Sequence, residues 1–232
     1  SAEYKKELKK EYDEFREKFL ARQTDKEYVS IEEAREKRFK IGWENETIIK
    51  PKKLGITVIE DQDFRELLPF VDWSPFFRSW DLHGRYPDIL EDEKVGEQAR
   101  ELWADAQVIL DKILNEKLLK AKAIFGLFPA NYNDRDDIIL DKDGEEFVFR
   151  TLRQQLKKSA GKEYFALSDF IAPQSNGKQD YIGAFAVTAG FGTDELVKYY
   201  EAQNDDYSTI MAKALADRFA EAFAEFLHWK VR

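Results

Sequence analysis

The 232-residue sequence contains no cysteine, which excludes disulfide bonds and thiolate chemistry. It contains only two histidines, in neither a His-x-x-His nor a His-Glu-x-x-His pattern, so no zinc or non-haem iron site is predicted. No apolar run approaches the roughly 20 residues that cross a bilayer, and the first residues lack the apolar stretch of a signal peptide. These absences predict a cytoplasmic protein without a membrane partner.

Glycine-rich phosphate loops are also missing, which removes the main support for nucleotide hydrolysis or Rossmann-type dinucleotide binding. The net charge of -9 argues against nucleic acid, whose phosphates require a basic surface. The acidic clusters 91–93 and 205–206 can hold a hard cation in principle, but acids at helix N-termini are the commoner use of such clusters. These patterns predict no catalytic residue, no metal ligand and no self-sufficient enzyme.

Hydrophobic periodicity predicts helices and strands that alternate along the chain. The predicted helices are 2–22, 30–39 (opened by a capping box of Ser30 and Glu33), 94–117, 193–203 and 206–230. The predicted strands are 56–59, 123–128, 138–140, 147–149 and 181–188. A hairpin turn is predicted at Asp143-Gly144. The continuous apolar runs at 123–128 and 181–188 indicate buried strands.

This order predicts an α+β fold. We expect a central antiparallel or mixed sheet with flanking long helices, plus an N-terminal helical appendage. The domain boundary is predicted at residue 50: residues 1–50 form a helical linker or appendage, and residues 51–232 form the main domain.

The most informative segment is 71–87, which packs five aromatic rings, two prolines and two aspartates into seventeen residues. Surface loops seldom expose so much apolar area. The segment is therefore either buried core or the wall of a site for a flat, partly apolar ligand.

Several sequence blocks resemble a known family. They are Asp-Trp-Ser-Pro-Phe-Phe at 72–77, His-Gly-Arg-Tyr-Pro at 83–87, Gly-Leu-Phe-Pro-Ala-Asn at 126–131, Leu-Arg-Gln-Gln at 152–155, Ser-Asp-Phe-Ile-Ala-Pro at 168–173, Asp-Tyr-Ile-Gly-Ala-Phe-Ala-Val-Thr at 180–188 and Ala-Glu-Ala-Phe-Ala-Glu at 220–225. Together, from about residue 28 to the end, they are similar to the reactivation domain of cobalamin-dependent methionine synthase, a methyltransferase of methionine biosynthesis.

The resemblance implies a function and partners. Such a domain binds S-adenosylmethionine and supports reductive methylation of cob(II)alamin to methylcobalamin. The cobalamin is held by another domain of the same polypeptide, and flavodoxin or another reductant supplies the electron. The protein positions the donor methyl group, while the cofactors carry the bond chemistry.

Three residues are candidates for contacts in such a domain. The resemblance implies that Asp72 contacts S-adenosylmethionine. The chemistry agrees, since a carboxylate among aromatic rings can bind an α-ammonium group or ribose hydroxyls. The alternative is that Asp72 caps the turn into Ser74 and that its aromatic neighbours form core. Glu221, one residue from a buried helical stripe, either points into the site or reaches water. Arg85 is a candidate basic contact for an acidic flavodoxin, or simply an exposed charge beside a turn.

One departure from the family qualifies this prediction. Family members continue into a Trp-Gly-Tyr segment and an Arg-Pro-Ala-Pro-Gly-Tyr-Pro motif, neither of which this chain contains. We therefore expect a C-terminally incomplete domain that binds the ligand weakly or not at all and is not catalytically competent alone. Two alternatives stay open: a docking module for the cobalamin domain or flavodoxin without ligand binding of its own, and a stand-alone enzyme with another small-molecule ligand.

Overall fold

A computed structural model describes the backbone of residues 2–21 and 26–232, and the side chains of residues 8–18 and 26–232. The chain divides into two compact units. The first unit comprises Ser1–Pro51 and Pro129–Ile182, and the second comprises Lys52–Phe128 and Gly183–Arg232.

Helices and strands alternate along the described chain. The helices are α1 (Ala2–Ala21), α2 (Ile31–Glu36), α3 (Phe64–Leu67), α4 (Ser74–Arg78), α5 (Gly96–Glu116), α6 (Thr193–Glu201) and α7 (Asp206–Val231). The strands are β1 (Gly55–Gln62), β2 (Lys120–Tyr132), β3 (Asp137–Lys142), β4 (Glu145–Arg150) and β5 (Asp180–Phe191).

The strands form an antiparallel sheet in which β2 has the most neighbours. In the second unit β1 pairs with the first part of β2, so that Ile56 lies opposite Gly126 and Val58 opposite Ile124. In the first unit β3 pairs with the last part of β2 on one side and with β4 on the other. β5 also pairs with β2. The predicted α+β fold is confirmed.

The second unit has an extended apolar core. On α7, residues three and four positions apart point to one side, and Leu215, Phe219 and Phe223 are fully buried there. α5 contributes Ile113 in the same way, and the Phe64 ring meets Phe219 edge-on with centroids 4.8 Å apart. Burying each such side chain stabilises the fold by about 1.5–3 kcal/mol.

The β3–β4 hairpin of the first unit turns at two residues. Asp143 and Gly144 have φ values of 57° and 86°, as a type I′ turn requires. Glycine adopts this left-handed conformation without steric cost, and the Oδ1 atom of Asp141 accepts a hydrogen bond from the Gly144 N–H at 3.0 Å. The turn fixes the register, with Lys142 opposite Glu145, and the Asp143-Gly144 hairpin predicted from the sequence is confirmed.

A buried guanidinium lies at the centre of the first unit. The Arg153 side chain is fully buried and donates to Asp136 and Asp169, with Nη2 2.5 Å and 2.7 Å from their Oδ1 atoms. Its Nη1 donates to the Tyr164 carbonyl at 2.6 Å, while Arg35 Nε donates to Asp136 Oδ2 at 2.8 Å. Burial raises the pKa of Asp136, but the hydrogen bonds from the two arginines outweigh it and hold the pKa below its ordinary value.

One predicted helix is shorter than expected. Ser30 caps α2 as predicted, its Oγ accepting from the Glu33 N–H at 3.1 Å, but the helix ends at Glu36 rather than at residue 39. The Tyr164 N–H donates to the Lys37 carbonyl at 3.0 Å, so pairing with a distant segment replaces further helical turns. For the first predicted helix, α1 ends at Ala21 and residue 22 lies outside the described residues. The boundary at residue 50 stays a prediction.

The predicted burial of the 181–188 strand was wrong over its centre. β5 is present, but Gly183–Ala186 are exposed and Phe185 is 50% exposed. A continuous apolar run is compatible with a strand buried on both faces. Burial also requires helices or strands that cover those faces, and the run carries no information about them. The described α1 side chains Tyr12 and Phe15 are exposed as well, by 65% and 74%.

Candidate functional site

The Asp72 turn lies between a 3₁₀ turn at Leu68–Phe70 and the start of α4. The Oδ1 atom of Asp72 accepts a hydrogen bond from the Ser74 N–H at 3.0 Å, which is the capping geometry that the sequence left as an alternative. The side chain is exposed. Its Oδ2 atom accepts no hydrogen bond from any described residue. One carboxylate oxygen therefore shapes the turn, and the other faces solvent.

The aromatic side chains that follow Asp72 in the sequence pack in the protein interior. Trp73, Phe76 and Phe77 are buried in the apolar core of the second unit. Trp73 packs edge-on against Trp103 with centroids 4.7 Å apart, and the half-buried Tyr86 ring lies 4.9 Å from Trp103. The aromatic segment is thus buried core in its larger part, and a rigid base for Asp72.

A second loop is tied to this turn. The Tyr86 N–H donates to Ser74 Oγ at 3.2 Å, which joins the Asp-Trp-Ser-Pro and His-Gly-Arg-Tyr-Pro motifs. Gly84 is required by packing, because a Cβ atom there would lie 2.7 Å from Cγ1 of the buried Ile89. Ser74 was not among the residues predicted to act in the site. Ser74 links the two motifs through a hydrogen bond to a residue twelve positions later in the chain, and hydrophobic periodicity gives no signal for such a contact.

Glu221 lies in α7, the helix against which the segment before Asp72 packs. The Phe70 and Phe226 rings meet edge-on with centroids 5.4 Å apart. Glu221 itself is exposed, and Ala222 beside it is buried. It shares an exposed stripe with Asp217 and Glu225, four residues away on either side. No hydrogen bond or ion pair between described residues joins Glu221 to Asp72.

Arg85 is exposed in the loop before the Tyr86-Pro87 peptide. Its carbonyl accepts a hydrogen bond from the Ile89 N–H at 2.8 Å, while its guanidinium forms no hydrogen bond with a described residue. The assigned roles of Arg85, Asp72 and Glu221 stay predictions. The structure places all three at the surface of the second unit.

The acidic clusters have ordinary structural roles. Asp92 Oδ1 accepts from the N–H groups of Lys94 and Val95 at 2.8 Å and 3.0 Å, and these backbone hydrogen bonds lower its pKa. Asp205 caps α7 by accepting from the Ser208 N–H at 2.9 Å, which lowers its pKa in the same way. Across the described residues, no three His, Cys, Asp or Glu side chains are grouped to hold a metal ion.

A groove of about 1020 Å³ opens in the first unit, lined by residues from 27–40 and 157–164. None of the three predicted site residues lines it. Two ion pairs lie along it, between Lys157 and Glu27 at 2.5 Å and between Lys37 and Glu33 at 2.7 Å. Exposed pairs of this kind are typical of a solvated surface, and we do not place the site there.

Comparison with known proteins decides the family. Residues 63–232 match the family model described as "Vitamin B12 dependent methionine synthase, activation domain". The chain belongs to this family. A solved structure described as "Crystal Structure of the MetH Reactivation Domain bound to AdoHcy" is 47% identical in sequence and superimposes with a TM-score of 0.83. The match covers 88% of this chain and 63% of that one, and it confirms the family predicted from the sequence.

The family model begins at the N-cap of α3, where Asp63 Oδ1 accepts from the Arg65 N–H at 2.8 Å. All three predicted site residues of this activation domain therefore lie within the matched range. Among the helices that the structure describes, none combines the length and apolar character that a membrane span needs.

Proposed function

We propose that this activation domain binds S-adenosylmethionine at the Asp72 turn. The observation that carries the proposal is that the 47%-identical structure is a reactivation domain bound to AdoHcy. AdoHcy is what S-adenosylmethionine becomes after it gives up its methyl group. We further propose that the bound donor supports reductive methylation of cob(II)alamin to methylcobalamin, in which a reductant supplies one electron and the sulfonium supplies the methyl group.

The Asp72 turn has the chemistry that this ligand needs. The exposed carboxylate has an unengaged Oδ2 atom, which can accept from an α-ammonium group or from ribose hydroxyls. The half-buried Trp80 and Tyr86 side chains belong to the same aromatic segment, and aromatic rings can pack on an adenine or a sulfonium cation. Because Oδ1 is already fixed by the Ser74 N–H, the carboxylate is oriented before a ligand arrives.

Glu221 and Arg85 are the outer members of the proposed site. Glu221 adds negative charge on α7, which favours a cationic ligand. Arg85 offers an exposed guanidinium to an acidic reductant such as a flavodoxin. Cobalamin, held by another domain of the same polypeptide, would supply the cobalt chemistry, while this chain binds and orients the methyl donor.

The test is calorimetric titration of S-adenosylmethionine into the chain and into Asp72→Asn. Asparagine keeps an oxygen that accepts from the Ser74 N–H but loses the charge, so the turn survives while the ligand contact weakens. Asp63→Asn is the matched control, since Asp63 is a capping aspartate of the same unit. We expect about tenfold weaker binding for Asp72→Asn, the loss of one charge-assisted hydrogen bond, and no change for Asp63→Asn.

Equal binding by Asp72→Asn and the unsubstituted chain would exclude the Asp72 contact. If no heat is released at any concentration, while the chain still binds an isolated cobalamin domain or a flavodoxin, the docking module without a ligand of its own is the correct function. Thermal unfolding of each variant establishes that the fold is intact.

A further inference from the structure

β4 is an edge strand whose six residues are all exposed. Among the described residues, only β3 pairs with it. The Phe147 and Phe149 rings are 45% and 47% exposed, although Leu140 and Ile138, which face them across the pair, are only 6% and 3% exposed. The apolar face of the hairpin is therefore covered at β3 and uncovered at β4.

The hydrogen-bonding register of the hairpin determines which backbone N–H and C=O groups of β4 do not bond to β3. In a hairpin closed by a two-residue turn, the flanking residues, here Lys142 and Glu145, exchange both backbone hydrogen bonds. Hydrogen-bonded pairs then recur at every second residue, so Phe147 and Phe149 also bond to β3. The N–H and C=O groups of Glu146, Val148 and Arg150 point away from β3, as a ready template for another strand.

We propose that β4 pairs with β4 of a second copy of this chain, antiparallel and about a two-fold axis at Val148. In this register Val148 lies opposite Val148 of the second copy, and Glu146 lies opposite Arg150. Every outward-pointing backbone group of these three residues then has a partner. On the other face Phe147 lies opposite Phe149, which brings four half-exposed rings together.

Charge complementarity identifies a second copy as the occupant. Edge strands resist self-pairing when like charges meet across the new pair. Here the charges two positions before and after Val148 have opposite signs, so the two-fold axis creates two Glu–Arg pairs instead of two repulsions. Such an interface is isologous, which is the commonest arrangement in homodimers.

A charge-exchange experiment tests the register. Glu146→Lys places two cations opposite each other in its own dimer, and Arg150→Glu places two anions opposite each other in its own. An equimolar mixture of the two variants restores both opposite-charge pairs. By sedimentation velocity we expect each variant alone to dimerise about tenfold more weakly than the unsubstituted chain, since two cross-strand pairs change sign, and the mixture to regain the original affinity.

A cysteine experiment tests the same contact without depending on those charges. Because the chain has no cysteine, the single substitution Val148→Cys can form a disulfide only between two copies. Directly opposed residues of a hydrogen-bonded antiparallel pair have Cα atoms about 5.5 Å apart, which a disulfide spans. Val108→Cys, at a 70% exposed valine of α5, is the matched control.

We expect mild oxidation to convert Val148→Cys to a covalent dimer at least tenfold faster than Val108→Cys. Equal rates, or an unsubstituted chain that sediments as a monomer at every concentration, would overturn the proposal. Dimerisation that the charge substitutions do not weaken would do the same. Because Arg150 also pairs with Asp137 at 3.3 Å, circular dichroism is used to check that the Arg150→Glu variant folds. If it does not fold, the comparison of Val148→Cys with Val108→Cys tests the proposal without it.

Discussion

In the second unit the side chains of Phe76, Phe77, Phe219 and Phe223 are fully buried against other apolar groups, whereas the first unit fully buries a charged side chain, that of Arg153. Buried charged residues divide in the same way. The described second unit buries no carboxylate, and the first unit buries Asp136, Asp137 and Asp169 together with that guanidinium.

The two arrangements respond differently to change. An apolar core tolerates substitutions that conserve volume, because its contacts are many and individually weak. A buried ion cluster depends on every member, since the removal of one charge leaves its partners desolvated and unpaired. The stability of the first unit should therefore depend mainly on a few charged residues, and that of the second mainly on the packing volume of its core.

The largest expected effect comes from Arg153→Met. It leaves Asp136 and Asp169 without their shared partner, so we expect a loss of about 4 kcal/mol in the stability of the first unit. Hydrogen exchange resolved by peptide should show faster exchange in 129–182. The control is Lys157→Met, whose side chain is 61% exposed and pairs with Glu27, itself 67% exposed; an exposed pair of this kind contributes little to stability. Similar losses in both variants would contradict the central role of Arg153.

A somewhat smaller effect is expected from Leu215→Ala in the second unit. The substitution leaves a cavity beneath α7 and should cost about 3 kcal/mol in urea denaturation. Ile210→Ala, on the same helix at a 53% exposed position, should cost less than about 0.5 kcal/mol. Leu215→Met, which nearly conserves volume, should recover most of the loss, and a failure to recover would show that shape matters more here than volume.

Acid should separate the two units. The pKa of Asp136 is lowered in the folded state from an ordinary value of 3.8, so its ionisation stabilises the fold fully above that value. The contribution is lost as the pH falls below 3.8 toward the lowered folded pKa. We expect hydrogen exchange in 129–182 to accelerate in this window before exchange in 102–114 of α5 does. Simultaneous acceleration in both ranges would contradict the comparison.

How much the sequence predicted differs between the two units. In the second unit, spacings of three and four predicted α5 and α7 within about two residues of their observed ends, because amphipathic periodicity is local information. Asp72 was also placed correctly at a turn, with its capping alternative present in the structure. Here a local pattern and a family resemblance led to the same segment.

The first unit was less predictable. The Leu-Arg-Gln-Gln and Ser-Asp-Phe-Ile-Ala-Pro blocks marked Arg153 and Asp169 as part of the resemblance, but no local pattern distinguishes a buried arginine from a solvated one. Their pairing joins residues sixteen positions apart, and Asp136 comes from a third segment. The end of α2 was missed for the same reason, since the Lys37 carbonyl is occupied by Tyr164.

The smallest expected effect concerns a polar contact at the rim of the apolar unit. Tyr207 is 43% exposed and donates to Asp105 Oδ2 at 2.9 Å. Burial, then this hydrogen bond, raises its pKa to about 12. Because the folded pKa is raised, the contribution is present below the ordinary value of 10.0 and is lost as the pH rises through about 12.

Tyr207→Phe should therefore cost less than about 1 kcal/mol at neutral pH, after allowance for solvent screening. The alkaline absorbance titration should lose one tyrosine that ionises near pH 12. Tyr12→Phe, at a 65% exposed position without a hydrogen bond to a described residue, is the matched control. A Tyr207→Phe loss of stability as large as that of Arg153→Met would mean that the second unit also depends on polar contacts. The two units would then differ in where their polar contacts lie, and not in the kind of interaction that stabilises them.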